Sequence, residues 1–321
     1  MIELTDEDRR ESNSQNSKGN QLKFKKDNIW YKADGSGPEG LSETVVSRIL
    51  NCSNCSKYVA YQEEKVLYNG TIYNACKSDN FIDDSCESIV TAYRLIENYY
   101  GKDIYDLIKF KTTKHKIEKF VDLTSKATKI EDIEIGRVLT QMLELDAYTL
   151  NNDRHFNNIA FIYNEKTDTY RMTPIYDNGA AFMSYKQCYQ NSKYVEVIEA
   201  RPFSREFEKQ KEVAEELFKR QLQIELSDFN KIMPSESIYD PNTRINVMGI
   251  INAQTNRYKD IVKITDLKQV EKTFNALRHE LQREKVGFTP ESNESQNQLT
   301  QKSARAMFQE GESEDLNQKH T

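Results

Sequence analysis

Ala147-Tyr148-Thr149-Leu150-Asn151-Asn152-Asp153-Arg154-His155-Phe156-Asn157-Asn158 runs from the end of a helix into a loop crowded with amides. Upstream of it, Ile135, Leu139, Met142 and Leu145 recur at helical spacing, so the loop is fed by an amphipathic helix. Downstream, the apolar run Ile159-Ala160-Phe161-Ile162 and, after a polar turn, Met172-Thr173-Pro174-Ile175-Tyr176-Asp177-Asn178-Gly179 predict a hairpin. Two acids and an amide, Asp153, Asn158 and Asp177, thus flank one hairpin.

This order, with five residues from Asp153 to Asn158, matches a loop built for phosphoryl transfer. The requirement is geometric. One carboxylate must accept the proton of an attacking hydroxyl, while a hard Mg²⁺ ion takes oxygen ligands from the next turn and the next strand. Asp153 is the candidate base, and Asn158 and Asp177 are the candidate metal ligands. Taken singly, Asn-Asn-Asp and Asp-Asn-Gly also read as turns, because such residues hydrogen-bond their own backbone. Their order around one hairpin is what points to phosphoryl transfer.

The chain has 321 residues, room for one large or two modest domains. Its net charge of -6 argues against a protein that mainly grips nucleic-acid phosphates. The five lysines between Lys109 and Lys119 are a local exception, read first as a solvated face. No run approaches the ~18 apolar residues of a membrane span, and the polar start Met1-Ile2-Glu3-Leu4-Thr5 is not a cleaved signal. A soluble protein is expected. Five cysteines, an odd number, suggest free thiols in a reducing compartment. Cys52 and Cys55 form a lone C-x-x-C with no second pair at zinc-like spacing, which favours incidental thiols.

Residues 1–16 are charged and rich in Ser, Asn and Gln, the composition of a mobile terminus. From Ser17 to about Asn80 a small β-rich lobe is expected. In it Gly19, Asn20 and Gln21 precede a hairpin over Leu22–Ala33, turning at Lys25–Asn28. Backbone N–H groups of such a turn can cradle phosphates, with Lys32 on the second strand beside them; a plain solvent-facing lysine is the competing reading. Ser42 is expected to cap a helix from Glu43 to about Leu50, and Glu43 is the candidate partner of Lys32. Tyr58–Tyr61 and Thr71–Cys76 read as further strands, with Asn69-Gly70 as a turn. Residues 81–285 read as a mainly helical lobe, with one helix face at Ile89, Tyr93 and Ile96 and further helices over about 205–226, 243–262 and 266–284. Residues 286–321 have the composition of a disordered tail. The nucleotide is expected between the two lobes.

Asp153-Arg154-His155-Phe156-Asn157-Asn158 resembles the D-x-H-x-x-N loop of HipA-like serine/threonine kinases. Pro174-Ile175-Tyr176-Asp177 is similar to that family's P-x-Y-D strand, and Gly19-Asn20-Gln21-Leu22-Lys23 to its G-x-Q-x-K phosphate loop. The resemblance implies an α+β, bilobal protein-kinase-like fold, ATP with Mg²⁺ as cofactors, and a protein substrate with a Ser or Thr acceptor. It gives Asp153 the position of the base, Asn158 and Asp177 the metal positions, Lys32 the nucleotide lysine, and His155 a supporting place in the loop. Autophosphorylation is implied too, with Ser14 and Ser17 the serines nearest the phosphate loop. The short chain and polar tail are similar to those of cell-translocating members, which implies a bacterial effector. G-x-G-x-x-G and A-P-E are both missing, and Asn152 stands where a phosphate-regulated kinase has Arg, so regulation through a phosphorylated activation loop is not implied. A small-molecule phosphotransferase and a catalytically silent ATP-binding scaffold are the competing functions.

Overall fold

The computed structural model of the chain describes residues 1–10, 21–35, 37–184 and 198–266, with scattered residues between 268 and 282. Phe24 and Tyr31 lie opposite each other on β3 (Lys23–Lys26) and β4 (Ile29–Ala33), and both point into a core shared with Leu4, Val66, Tyr68 and Ala75. Alternation along the strands then puts Lys23 and Lys32, also opposite each other, on the other face. Asp27 and Asn28 close this hairpin with positive φ, as Asn69 and Gly70 close the next one between β5 (Gln62–Tyr68) and β6 (Thr71–Asp79). Two consecutive left-handed residues match the twist of the strands they join.

The first ten residues, expected to be mobile, instead supply both edges of this sheet. β1 (Ile2–Leu4) pairs parallel to β5 and β2 (Arg9–Arg10) antiparallel to β3, giving the six-stranded order β1-β5-β6-β4-β3-β2. Leu4 is the cause: it is 2% exposed, filling the core at the sheet edge. The expected strand at Tyr58–Tyr61 is not formed. Tyr58 makes a single parallel bridge to Ile175, and the strand is the charged Gln62–Tyr68, whose pairing with β6 outweighs its composition.

Helix α1 spans Glu39–Asn51, starting earlier than its sequence suggests. Ser42 is not its cap. Asp34 accepts from the Gly40 N–H at 2.6 Å and so serves the first turn, while Ser42 Oγ donates to the Ala181 carbonyl. Ile89, expected on a helix face, lies in β7 (Glu87–Thr91), because Thr91 caps α2 (Ala92–Tyr100) only after it. The short α3 (Ile104–Leu107), α4 (Thr113–Thr128) and α5 (Asp132–Thr149) follow. α5 is the axis of the helical part: Ile135, Leu139, Met142 and Leu145 are fully buried, and α4, α6 (Phe207–Phe218) and α7 (Pro241–Arg257) pack around it.

After α5, β8 (Ala160–Asn164) and β9 (Thr169–Met172) form a hairpin to which β7 adds a third strand, but its second arm lies in the stretch expected to be a turn. Of the expected arm Met172–Gly179 only Met172 is in the strand and Ile175 makes a lone bridge to Tyr58, so Asp177 follows the hairpin outside any strand. The helices expected over 205–226 and 243–262 are shorter. Ile224–Leu226 forms β10, paired parallel with β11 (Val262–Ile264). A first compact unit runs from Met1 to Phe274 and a second begins at Asn275; residues 286–321 lie outside the described residues. The result is an α+β fold, a curled sheet followed by a mainly helical part.

Candidate active site

Lys32 Nζ, on the face of β4 away from the sheet core, pairs with Glu43 Oε1 of α1 and donates to Asp177 Oδ1 at 3.0 Å. Three residues separated by up to 145 positions thus meet around one ammonium. Glu43 is fully buried, and its second oxygen accepts from the Asn178 N–H at 2.8 Å. One carboxylate therefore joins the lysine of the sheet to the stretch that bears Asp177. α1 can sit this close because Gly40 has no side chain. A Cβ there would fall 2.9 Å from the backbone of Ala75 and Cys76.

Burial pushes the Asp177 carboxyl up, but Lys32, with Lys23 and Arg154, more than reverses this and holds it well below the usual carboxylate range. It stays ionised. Its φ of +58° is a left-handed conformation that Asp tolerates better than most residues. Lys32 Nζ also lies 5.1 Å from the centre of the Tyr61 ring, and Tyr61, Val59 and Cys76 form an apolar cluster with Phe81 and Tyr176 beside the ion pair.

The loop after α5 is held by a residue that the sequence reading passed over. Arg154 is fully buried. Its guanidinium donates to both oxygens of Asp146 on α5, to the carbonyls of Asn158 and Tyr176, and to Asn178 Oδ1. It therefore ties the helix end, the loop and the stretch Tyr176–Asn178 into one body. Asp146 also accepts from Asn151 Nδ2 at 3.0 Å. The signal was present in the sequence. Asp146 stands seven residues after Leu139, on the apolar face of α5, where a lone carboxylate is too costly unless a cation meets it.

Around this body the loop winds tightly: the His155 N–H donates to the Asp153 carbonyl, and the Asn158 N–H to that of His155. Asn158 Nδ2 donates to the Asp153 carbonyl at 2.8 Å. That contact turns the amide so that its Oδ1 remains for another partner. Asp153 keeps a side chain 38% exposed, with His155 Nε2 at 3.8 Å and Arg201 Nη1 at 3.4 Å from its oxygens. Burial raises its carboxyl above the ordinary value, against the pull of His155, while the negative charge of Asp177 adds to the rise. His155 Nδ1 is buried with no hydrogen-bond partner among the described residues.

The structure thus brings Lys32, Glu43 and Asp177 into direct contact and links Asp153 to Asn158 through the loop backbone. Gly19, Asn20, Ser14 and Ser17 lie outside the described residues. Gln21 meets none of the others, and its Nε2 is a buried donor with no partner among the described residues. Lys23, quoted in the phosphate-loop resemblance but given no role, faces the site from its place opposite Lys32 and acts on Asp177.

No family model matches the sequence, and no curated protein matches it. The fold, however, has solved counterparts. The Helicobacter pylori proinflammatory kinase CtkA is 16% identical, with a TM-score of 0.50 and an overlap covering 76% of this chain and 89% of that one. The fold is that of CtkA. A chain of the Shewanella oneidensis MR-1 complex of HipA, HipB and operator DNA is 11% identical, covering 80% of this chain and 58% of that one, with a TM-score of 0.40. The likeness in three dimensions concerns the fold, which is the kinase-like fold that the loop resemblance implies.

The donor set fits a hard cation. Among the described residues no three His, Cys, Asp or Glu side chains make a ready metal cage. Mg²⁺ does not call for one, since it takes one or two carboxylates and fills the rest of its octahedron with water and phosphate oxygens. Asp177 and Asn158 supply that kind of oxygen, and Lys23, Lys32 and Gln21 supply donors for phosphate.

Proposed function

We propose that the chain is an ATP- and Mg²⁺-dependent serine/threonine protein kinase of HipA-like type. The observation that carries this reading is the meeting of Lys32, Glu43 and Asp177 in front of a loop that carries Asp153 and Asn158. Lys23 stands directly opposite Lys32 and acts on Asp177, so a second ammonium lies beside the ion pair where a nucleotide phosphate would sit.

In this reading bound ATP with Mg²⁺ supplies the phosphoryl group and neutralises its charge. The residues of the chain do the rest. Glu43 fixes Lys32 so that its ammonium points at the phosphates. Asp177 and Asn158 Oδ1 would hold the cation, and Arg154 fixes the spacing between these two residues by binding the Asn158 and Tyr176 carbonyls. Asp153, partly exposed and with its carboxyl raised above the ordinary value by partial burial, orients the acceptor hydroxyl and takes its proton. The likeness to a proinflammatory kinase supports the additional reading of a self-phosphorylating bacterial effector.

The test is γ-phosphate transfer from labelled ATP by the purified full-length protein, to itself and to protein substrates, with Asp153→Ala as control. Label found only on small hydroxyl compounds would make the protein a small-molecule phosphotransferase. ATP binding with no transfer to any acceptor would make it a scaffold.

A further inference from the structure

Four aromatic rings from four separate segments lock together beside the loop that carries Asp153. Phe156 of the loop stacks on Phe120 at 5.5 Å, and the rings of Tyr105 and Phe203 meet it edge-on at 5.2 and 5.7 Å. The cluster fixes what stands beside it: Asp153 three residues before Phe156, and Arg201 two residues before Phe203. Gln210, fully buried on α6, holds the Arg201 carbonyl at 3.0 Å, and the Ala200 N–H bonds to the Arg205 carbonyl. Arg201 is therefore a placed residue. Its backbone is anchored, and its side chain is 60% exposed while reaching Asp153.

On the other side of the cluster, Tyr105 is half exposed, and its hydroxyl lies within electrostatic reach of Arg201, Asp103 and Asp153. The stretch that follows carries the lysines noted in the sequence, and the structure divides them into two sets. Lys114 is paired with Glu216, Lys119 with Asp122, and Lys116 donates to the Phe203 carbonyl. Lys109 and Lys111 are exposed and enter no ion pair among the described residues, with the exposed ring of Phe110 between them. In a chain of net charge -6, an acidic partner is repelled by the whole and welcomed only at such a place.

We propose that the acceptor is a protein segment with carboxylates beside its Ser or Thr, held by Arg201 at Asp153 and by Lys109 and Lys111 beyond Tyr105. The inference rests on the kinase reading above. A guanidinium has five donors in a planar fork, so Arg201 can take a carboxylate of the incoming segment while letting go of Asp153. That exchange frees the base when an acidic acceptor arrives. Two lysines and one arginine match a short acidic segment better than the long run of phosphates that nucleic-acid binding requires.

The experiment uses the full chain with ATP and Mg²⁺ and three serine peptides of equal length, with acidic, neutral or basic residues flanking the serine. The acidic peptide is expected to have the higher kcat/KM by about tenfold, mostly through KM, with the advantage shrinking as salt is raised. Arg201→Gln and, separately, Lys109→Glu with Lys111→Glu should each raise KM for the acidic peptide, while calorimetry of ATP binding shows that the variants are folded. Equal use of all three peptides, or a preference that survives in both variants, overturns the inference and leaves the kinase reading standing. Failure to phosphorylate any peptide or protein with ATP bound overturns both. Stronger inhibition by a short oligonucleotide than by an unreactive acidic peptide assigns the lysines to nucleic acid and overturns the inference.

Discussion

Replacing Arg154 tests the idea that one buried cation holds the site together. Arg154→Met removes the partner of Asp146, which is fully buried and keeps only Asn151 Nδ2. Leaving one member of a buried ion pair costs about 3–5 kcal/mol. The carbonyls of Asn158 and Tyr176 lose their guanidinium contacts as well. Against a total stability of about 5–15 kcal/mol this is a large fraction, so the variant should unfold at a much lower urea concentration than the wild type. Arg154→Lys is the sharper probe. The ammonium keeps the charge beside Asp146 but lacks the planar fork, so it cannot also reach Asn158, Tyr176 and Asn178. At about 1 kcal/mol for each hydrogen bond lost, the cost is roughly 2–3 kcal/mol, and the protein remains folded. The loop and the stretch bearing Asp177 are no longer tied, so, on the proposed kinase reading, phosphate transfer should fall far more than stability, by about 10²-fold, the penalty of a misplaced site. Asp146→Leu with Arg154→Met should recover much of the stability lost in Arg154→Met, because an apolar pair replaces a buried ion pair at little cost, yet should recover no transfer. Urea unfolding and phosphate incorporation are measured on all variants. A loss below about 1 kcal/mol in Arg154→Met, or activity restored by the double variant, would show that Arg154 is not the link described.

The two acids should divide the work: Asp177→Ala should weaken Mg²⁺-dependent ATP binding in calorimetry, whereas Asp153→Ala should leave it intact and lower kcat by roughly 10²–10⁴. Gly40→Ala should destabilise by about 1–3 kcal/mol, because the new methyl meets the β6 backbone, and should loosen the Lys32–Glu43 pair, seen as a raised KM for ATP. The Glu144 carboxyl, pushed up to about 8 by burial with Glu215 beside it, binds a proton in the folded chain where the unfolded chain has already released it. Its contribution to stability is therefore complete below about pH 4.5 and lost as pH rises through 8. Thermal midpoints across that range should fall with pH in the wild type and fall less in Glu144→Gln.

The sequence by itself determined the local elements whose signals are short in range. α5 was legible from Ile135, Leu139, Met142 and Leu145, β8 from its apolar run, and the Asn69-Gly70 turn from residues that accept positive φ. The candidate loop was legible as well, since the spacing from Asp153 to Asn158 is fixed by a single turn of chain. Tertiary structure decided what depends on partners far apart. Leu4 turned a polar terminus into a sheet edge by filling the core; Gln62–Tyr68 became a strand because β6 pairs with it; Ile89 went to β7 rather than to a helix face because β8 takes its backbone hydrogen bonds. The same holds for the site. Composition marked Lys32, Glu43 and Asp177 one by one, but only the packing of α1 on the sheet and on the stretch after β9 joins them. Arg154 shows the physical reason. A buried charge is tolerable only where partners meet it, here from three segments, and no local pattern of residues records where those segments will meet.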